Sequence, residues 1–169
     1  MTKKTLKIVF LFFLISSKLF ACNCKNSNNL KEVQNREFKY SEYIFIGEIL
    51  EIDSKKYTFK VKVIENFKGN NVGKVYSGKY DEVCGPIINE KGKWIIYAIK
   101  GSGNFIKINS CGITRSLKTP ENNINATRQP KPPTANETKV QTQKKLNEFH
   151  LKAETDLKNE IIELRNRTK

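Results

Sequence analysis

Tyr57-Thr58-Phe59-Lys60-Val61-Lys62-Val63 decides the fold. Aromatic and β-branched residues alternate with Thr and Lys, so one face of an extended strand meets a core and the other meets water. Upstream, Tyr43-Ile44-Phe45-Ile46-Gly47-Glu48-Ile49-Leu50-Glu51-Ile52 opens as a continuous apolar run and ends in alternation, the pattern of a strand covered on both faces over only part of its length. Gly47 inside it predicts a bulge or sharp bend of the kind small barrels use to turn a corner. Downstream, Phe67-Lys68-Gly69-Asn70-Asn71 supplies turn chemistry before a short strand around Val72 to Ser77. Trp94-Ile95-Ile96-Tyr97-Ala98-Ile99 has the composition of a buried strand, and Phe105-Ile106-Lys107-Ile108 alternates again after the Gly101-Ser102-Gly103-Asn104 turn. Short strands, glycine-rich turns and no helix between them predict a mainly β fold, a small antiparallel barrel of five strands.

The flanks differ in character. Residues 25–39 begin polar and turn-prone, then carry Leu30, Val33 and Phe38 at the spacing of a short helix. Thr119 to Thr142 holds four of the five prolines among Asn, Thr and Gln, which predicts a flexible linker or surface loop over 119–143. From Lys144 to Lys169, Leu146, Phe149, Ala153, Leu157, Ile161 and Leu164 recur at helical steps between Lys and Glu, an amphipathic helix expected to pack on its own domain. A coiled-coil homodimer is the competing use of such a stripe, although the repeat is short. His150, the single histidine, lies off that stripe and reads as a surface residue.

At the start of the chain, Lys3, Lys4 and Lys7 precede an apolar run from Ile8 to Ile15 and a small-residue exit at Ser16, Ser17 and Ala21, the grammar of a secretory signal over residues 1–21. The run is shorter than the about 20 residues a membrane span needs, so no transmembrane segment is expected in the mature chain. Cleavage after Ala21 would leave Cys22 with a free α-amine and the protein outside the cell. Leu19-Phe20-Ala21-Cys22 also resembles a bacterial lipobox, the alternative in which Cys22 is acylated and anchors the protein to a membrane. Loss of residues 1–21 removes four lysines and no acid, taking the formal charge from +14 to +10. An exported chain this basic is matched to anionic surfaces or polysaccharide, and nucleic acid is not expected as a partner.

All four cysteines, Cys22, Cys24, Cys84 and Cys111, lie past the signal and read as two disulfides. Pairing Cys22 with Cys24 would close a cramped ring, which leaves two arrangements joining the N-terminal pair to Cys84 and Cys111. A four-cysteine metal site fits poorly, because Cys-x-Cys is tighter than the usual spacer and the other two cysteines stand alone.

The Cys-x-Cys start, Phe45-Ile46-Gly47-Glu48, Tyr57-Thr58-Phe59-Lys60-Val61, Phe67-Lys68-Gly69, Cys84-Gly85, Trp94-Ile95-Ile96-Tyr97-Ala98 and Ser110-Cys111-Gly112-Ile113-Thr114-Arg115-Ser116-Leu117 together resemble the tissue inhibitor of metalloproteinases (TIMP) family, in particular its bacterial TIMP-like members. The resemblance covers Cys22 to Leu117 and implies an OB-like barrel of the TIMP/NTR type over residues 22–118. It also implies the bonding Cys22–Cys84 and Cys24–Cys111, and an inhibitory ridge of Cys22, Asn23, Cys24 and Lys25 in which the α-amine and carbonyl of Cys22 chelate the zinc of a target metalloprotease. Two positions depart from the family's pattern: Asn23 is larger and polar where the inhibitors carry a small residue, and Lys25 is charged where they tend to be apolar.

The resemblance thus implies a secreted metalloendopeptidase inhibitor that carries no cofactor of its own. The reading from a different class is a non-inhibitory envelope or extracellular binding module, with Lys60, Lys62, Lys93 and Lys107 offered to polyanions from the strand faces, where simple solvation also accounts for them. No Ser/His/Asp, Cys/His or paired-carboxylate arrangement marks an enzyme.

Overall fold

The computed structural model describes residues 24, 29–70, 72–81 and 84–168. A helix, α1 (Leu30–Tyr40), opens under the Asn29 side chain, which accepts a hydrogen bond from the Lys31 amide at 3.0 Å. Six strands follow: β1 (Tyr43–Asp53), β2 (Thr58–Lys68), β3 (Val75–Lys79), β4 (Gly92–Lys100), β5 (Phe105–Ile108) and the two-residue β6 (Arg115–Ser116). A 3-10 turn at Pro120–Asn122 leads on to the long helix α2 (Lys139–Arg167).

The first five strands close into a barrel in the order β1-β2-β3-β5-β4, with β4 returning to β1, and β6 extends β4 outside the ring. Every pairing is antiparallel except β3 with β5, where Ser77, Gly78 and Lys79 run parallel to Phe105, Ile106 and Lys107. Parity requires this refinement of the expected antiparallel barrel: a closed ring with an odd number of strands cannot alternate direction all the way round. β1 reaches both neighbours by bending, with register shifts at Ile44/Phe45, Ile46/Gly47 and Ile49/Glu51. At the central shift only glycine fits, since a Cβ on Gly47 would lie 2.4 Å from Val61 Cγ2.

Alternation along β2 sends Phe59, Val61 and Val63 into the barrel, where they meet Phe45, Trp94, Ile96 and Ile106. Tyr57 stands just before the strand at φ 55°, and its ring packs edge-on against Tyr80 at 6.0 Å. The continuous apolar runs of β1 and β4 have a different cause. Their second face is covered by the helices: Ile44, Ile46, Ile95 and Tyr97 point outward into another core with Val33, Phe67, Ile113, Leu157 and Leu164.

At the centre of that outer core lie two charges sealed from water. Arg115 on β6 and Glu160 on α2 are 1% and 2% exposed, and Arg115 Nη2 donates to Glu160 Oε2 at 2.9 Å. The carboxylate also accepts from Tyr97 Oη at 2.7 Å and from Gln34 Nε2 on α1 at 2.6 Å, while Arg115 Nη1 donates to the Ile113 carbonyl at 3.0 Å. Burial, with the neighbouring carboxylate, pushes the Tyr97 hydroxyl well above its ordinary pKa, so it remains a donor.

The flanks also differ from their sequence-based outlines. α2 starts at Lys139 on a Thr138/Gln141 capping box, before the expected Lys144. Its stripe is buried at Ala153, Leu157 and Leu164 but still exposed at Leu146. The stretch expected as a linker is packed over its first part, because Asn123 does backbone work: its Nδ2 donates to the carbonyls of Gly112 at 3.1 Å and Thr114 at 2.8 Å, and its Oδ1 accepts from the amides of Asn125 and Ala126. Residues 131–136 are exposed. His150 is half-exposed as expected, and its Nδ1 sits 3.0 Å from Glu121 Oε1, tying α2 to the 3-10 turn.

Removing one member of a buried ion pair leaves the other uncompensated, at a cost of about 3–5 kcal/mol, whereas apolar replacement of both is far milder. In urea unfolding, Glu160→Ala is therefore expected to lose stability of that order, and the double variant Arg115→Met/Glu160→Leu to recover only part of it, because the buried Tyr97 hydroxyl and Gln34 amide lose their acceptor.

Candidate functional site

The Cys24–Cys111 disulfide is present, with Cα atoms 5.4 Å apart across a sequence separation of 87. It fixes the N-terminal segment to a turn built around Asn109. The Gly112 amide donates to the Asn109 carbonyl at 3.0 Å, and the Cys111 amide donates to Asn109 Oδ1 at 3.2 Å. Asn109 Nδ2 in turn donates to both carboxylate oxygens of Glu37 on α1, at 3.0 and 3.1 Å. Space around this contact is closed: a Cβ on Gly112 would stand 2.9 Å from Glu37 Oε2.

Glu37 is 1% exposed. Burial pushes its carboxyl pKa up, opposed by the Asn109 hydrogen bond and by Arg36, whose Nε lies 3.8 Å away, and the Glu160 carboxylate adds to the upward push.

A second loop touches the same turn. Asp81 accepts from the Cys84 amide at 3.1 Å with one oxygen and from Ser110 Oγ at 3.2 Å with the other. Gly85, at φ 126°, approaches so closely that a Cβ there would fall 1.9 Å from the Ser110 carbonyl oxygen. Cys84 is also disulfide-bonded. Its expected partner Cys22, together with Asn23 and Lys25 of the expected ridge, lies outside the described residues. The structure thus joins Cys24 to Cys111 and brings Cys84 to a loop in contact with the one that carries Cys111. Among the described residues no group of three or more His, Cys, Asp or Glu side chains could hold a metal ion.

The lysines proposed as a polyanion face are distributed otherwise. Lys60 Nζ pairs with Glu51 at 2.9 Å, and Lys62 and Lys93 both stand opposite Glu48 in the strand register. Lys107 faces Lys79 across the parallel seam. Acidic partners interrupt the basic face.

The residues that support Cys24 were not among those singled out from sequence. Glu37 follows Val33 by one helical turn, a spacing that places it on the inward face. Asn109 and Asp81 look like ordinary loop residues until the two loops meet. Compared with models of known protein families and with curated proteins, the chain matches none.

Two outcomes follow from this geometry. A carboxyl with a raised pKa keeps its proton longer in the folded chain than in the unfolded one, so its contribution is full below the ordinary glutamate value of 4.5 and is lost as pH rises through the higher folded value. The Tm of Glu37→Gln, measured against the parent, should therefore improve as pH climbs through that window and then level off. Gly85→Ala should lower Tm and, in limited reduction followed by thiol labelling, expose Cys84 and Cys111 faster, because its Cβ forces the two loops apart.

Proposed function

We propose that the chain is an exported, TIMP-like inhibitor of zinc metalloendopeptidases, acting through the first residue of its mature form, Cys22. The observation that carries this reading is the Cys24–Cys111 crosslink beside a second disulfide-bonded cysteine, Cys84, on a loop in contact with the first. The five-stranded barrel with a helix packed outside it, and the run of motifs from Cys22 to Leu117, support it too.

The chemistry is direct. A backbone α-amine and the carbonyl oxygen of the same residue close a five-membered ring on a metal ion. The amine has an ordinary pKa of about 8, so its neutral, ligating form is accessible near neutrality. A catalytic zinc with three protein ligands holds the attacking water in its fourth position. A chelating terminus displaces that water and stops hydrolysis. Crosslinks made before contact lessen the freedom lost on binding. Asn23 then sets selectivity: an unsatisfied amide in an apolar pocket costs about 1–3 kcal/mol, so the preferred target offers that side chain a hydrogen-bond partner.

The test uses protein recovered after export, with its N-terminus established by intact mass, against a panel of zinc endopeptidases. Inhibition by the native terminus is expected, together with its loss when one alanine precedes Cys22. Inhibition that survives the added residue, or an acylated Cys22 in the inhibitory material, would overturn the proposal.

A further inference from the structure

Between the outer barrel face and the last turns of α2 runs a groove of about 430 Å³ that shares no residue with the Cys24 site. Its walls are apolar and come from different elements: Ile64 of β2 and Leu117 on one side, Ile161 and Ile162 of α2 on the other, with the buried Ile46 beneath. Ile64 and Ile162 remain 40% and 50% exposed, although an apolar core lies directly under them.

The unpaired charge among the groove's lining residues is basic. Lys93 and Lys158 line the groove and are exposed; Lys93 stands opposite Glu48 in the strand register, but among the described residues neither lysine has a carboxylate within ion-pair distance. Glu65, the one acid on the rim, is already neutralised by Arg165: Nε and Nη2 of that guanidinium donate to its two oxygens at 2.7 and 2.9 Å, and this bond holds the Glu65 carboxyl below its ordinary pKa. What remains for a ligand is an apolar trough and two ammonium groups.

We infer that this groove binds a single-chain fatty acid, its alkyl chain laid along Ile64, Leu117, Ile161 and Ile162 and its carboxylate held by Lys93 and Lys158. The volume falls in the lower half of the range for small-molecule sites, about 300–1,000 Å³, enough for one acyl chain and too little for a two-chain lipid. The surrounding net positive charge draws an anion toward the rim. This inference does not depend on what the N-terminus does.

Titration calorimetry of the whole exported chain with dodecanoate, kept below its micelle concentration, tests it. Saturable binding of one dodecanoate per chain is expected, with acetate and dodecyltrimethylammonium each weaker by roughly tenfold or more. Lys93→Glu/Lys158→Glu, whose side chains are exposed and whose melting should match the parent, is expected to weaken dodecanoate by roughly tenfold and to favour the cationic amphiphile. Ile162→Ser should weaken every dodecyl compound alike. Many molecules bound per chain, equal binding of anion and cation, tighter binding of dodecyl phosphate, or unchanged affinity in the double lysine variant would each overturn the assignment.

Discussion

A guanidinium and a carboxylate shut away from water between barrel and helix set the terms for this fold. Arg115 rises from a two-residue strand on the outer face of the barrel, where an unpaired charge would be heavily penalised, and the acid that neutralises it stands on a helix 45 residues later. Sliding α2 by one turn, about 5.4 Å, would carry Glu160 out of reach and leave two buried ions unmatched. Such a pair adds little net stability compared with an apolar contact, but it fixes the helix position with little tolerance. The apolar stripe of α2 supplies attraction. The ion pair supplies register.

α1 connects this centre to the N-terminal crosslink. Gln34 donates to Glu160, and Glu37, about one turn further on, receives Asn109 from the turn that carries Cys111. A single short helix therefore presses one polar side chain into the ionic centre and another into the disulfide turn. It also brings Glu37 close enough to the Glu160 carboxylate for that charge to add to a raised pKa whose main cause is burial. The rigidity that the proposed inhibitory terminus requires would rest on contacts that lie behind the two loops and run back through the outer core.

Legibility varied with the range of the interaction. Tyr57 to Val63 announced a half-buried strand because period-two alternation is a local property, and Phe59, Val61 and Val63 are buried as it implies. Gly47 announced a bend because its missing side chain is local too, and the register shifts there. Asn123 was hidden, since composition records its polarity and not the carbonyls of Gly112 and Thr114 that it satisfies. Glu160 was hidden for a related reason: on a helix rich in Lys and Glu, nothing nearby separates the one acid that is buried from those that face water.

By itself the sequence determined the strands, their turns, an amphipathic terminal helix and the readiness of Cys24 to be crosslinked, because periodicity, turn chemistry and cysteine number act over a few residues at a time. Only the tertiary structure decided which faces of β1 and β4 lie under helices, which acid meets Arg115, how Asp81 and Glu37 brace the loops of Cys84 and Cys111, and where a basic-rimmed apolar groove opens beside α2. Those outcomes depend on groups far apart in the chain, and a buried charge or an open trough has no meaning until the elements around it have closed.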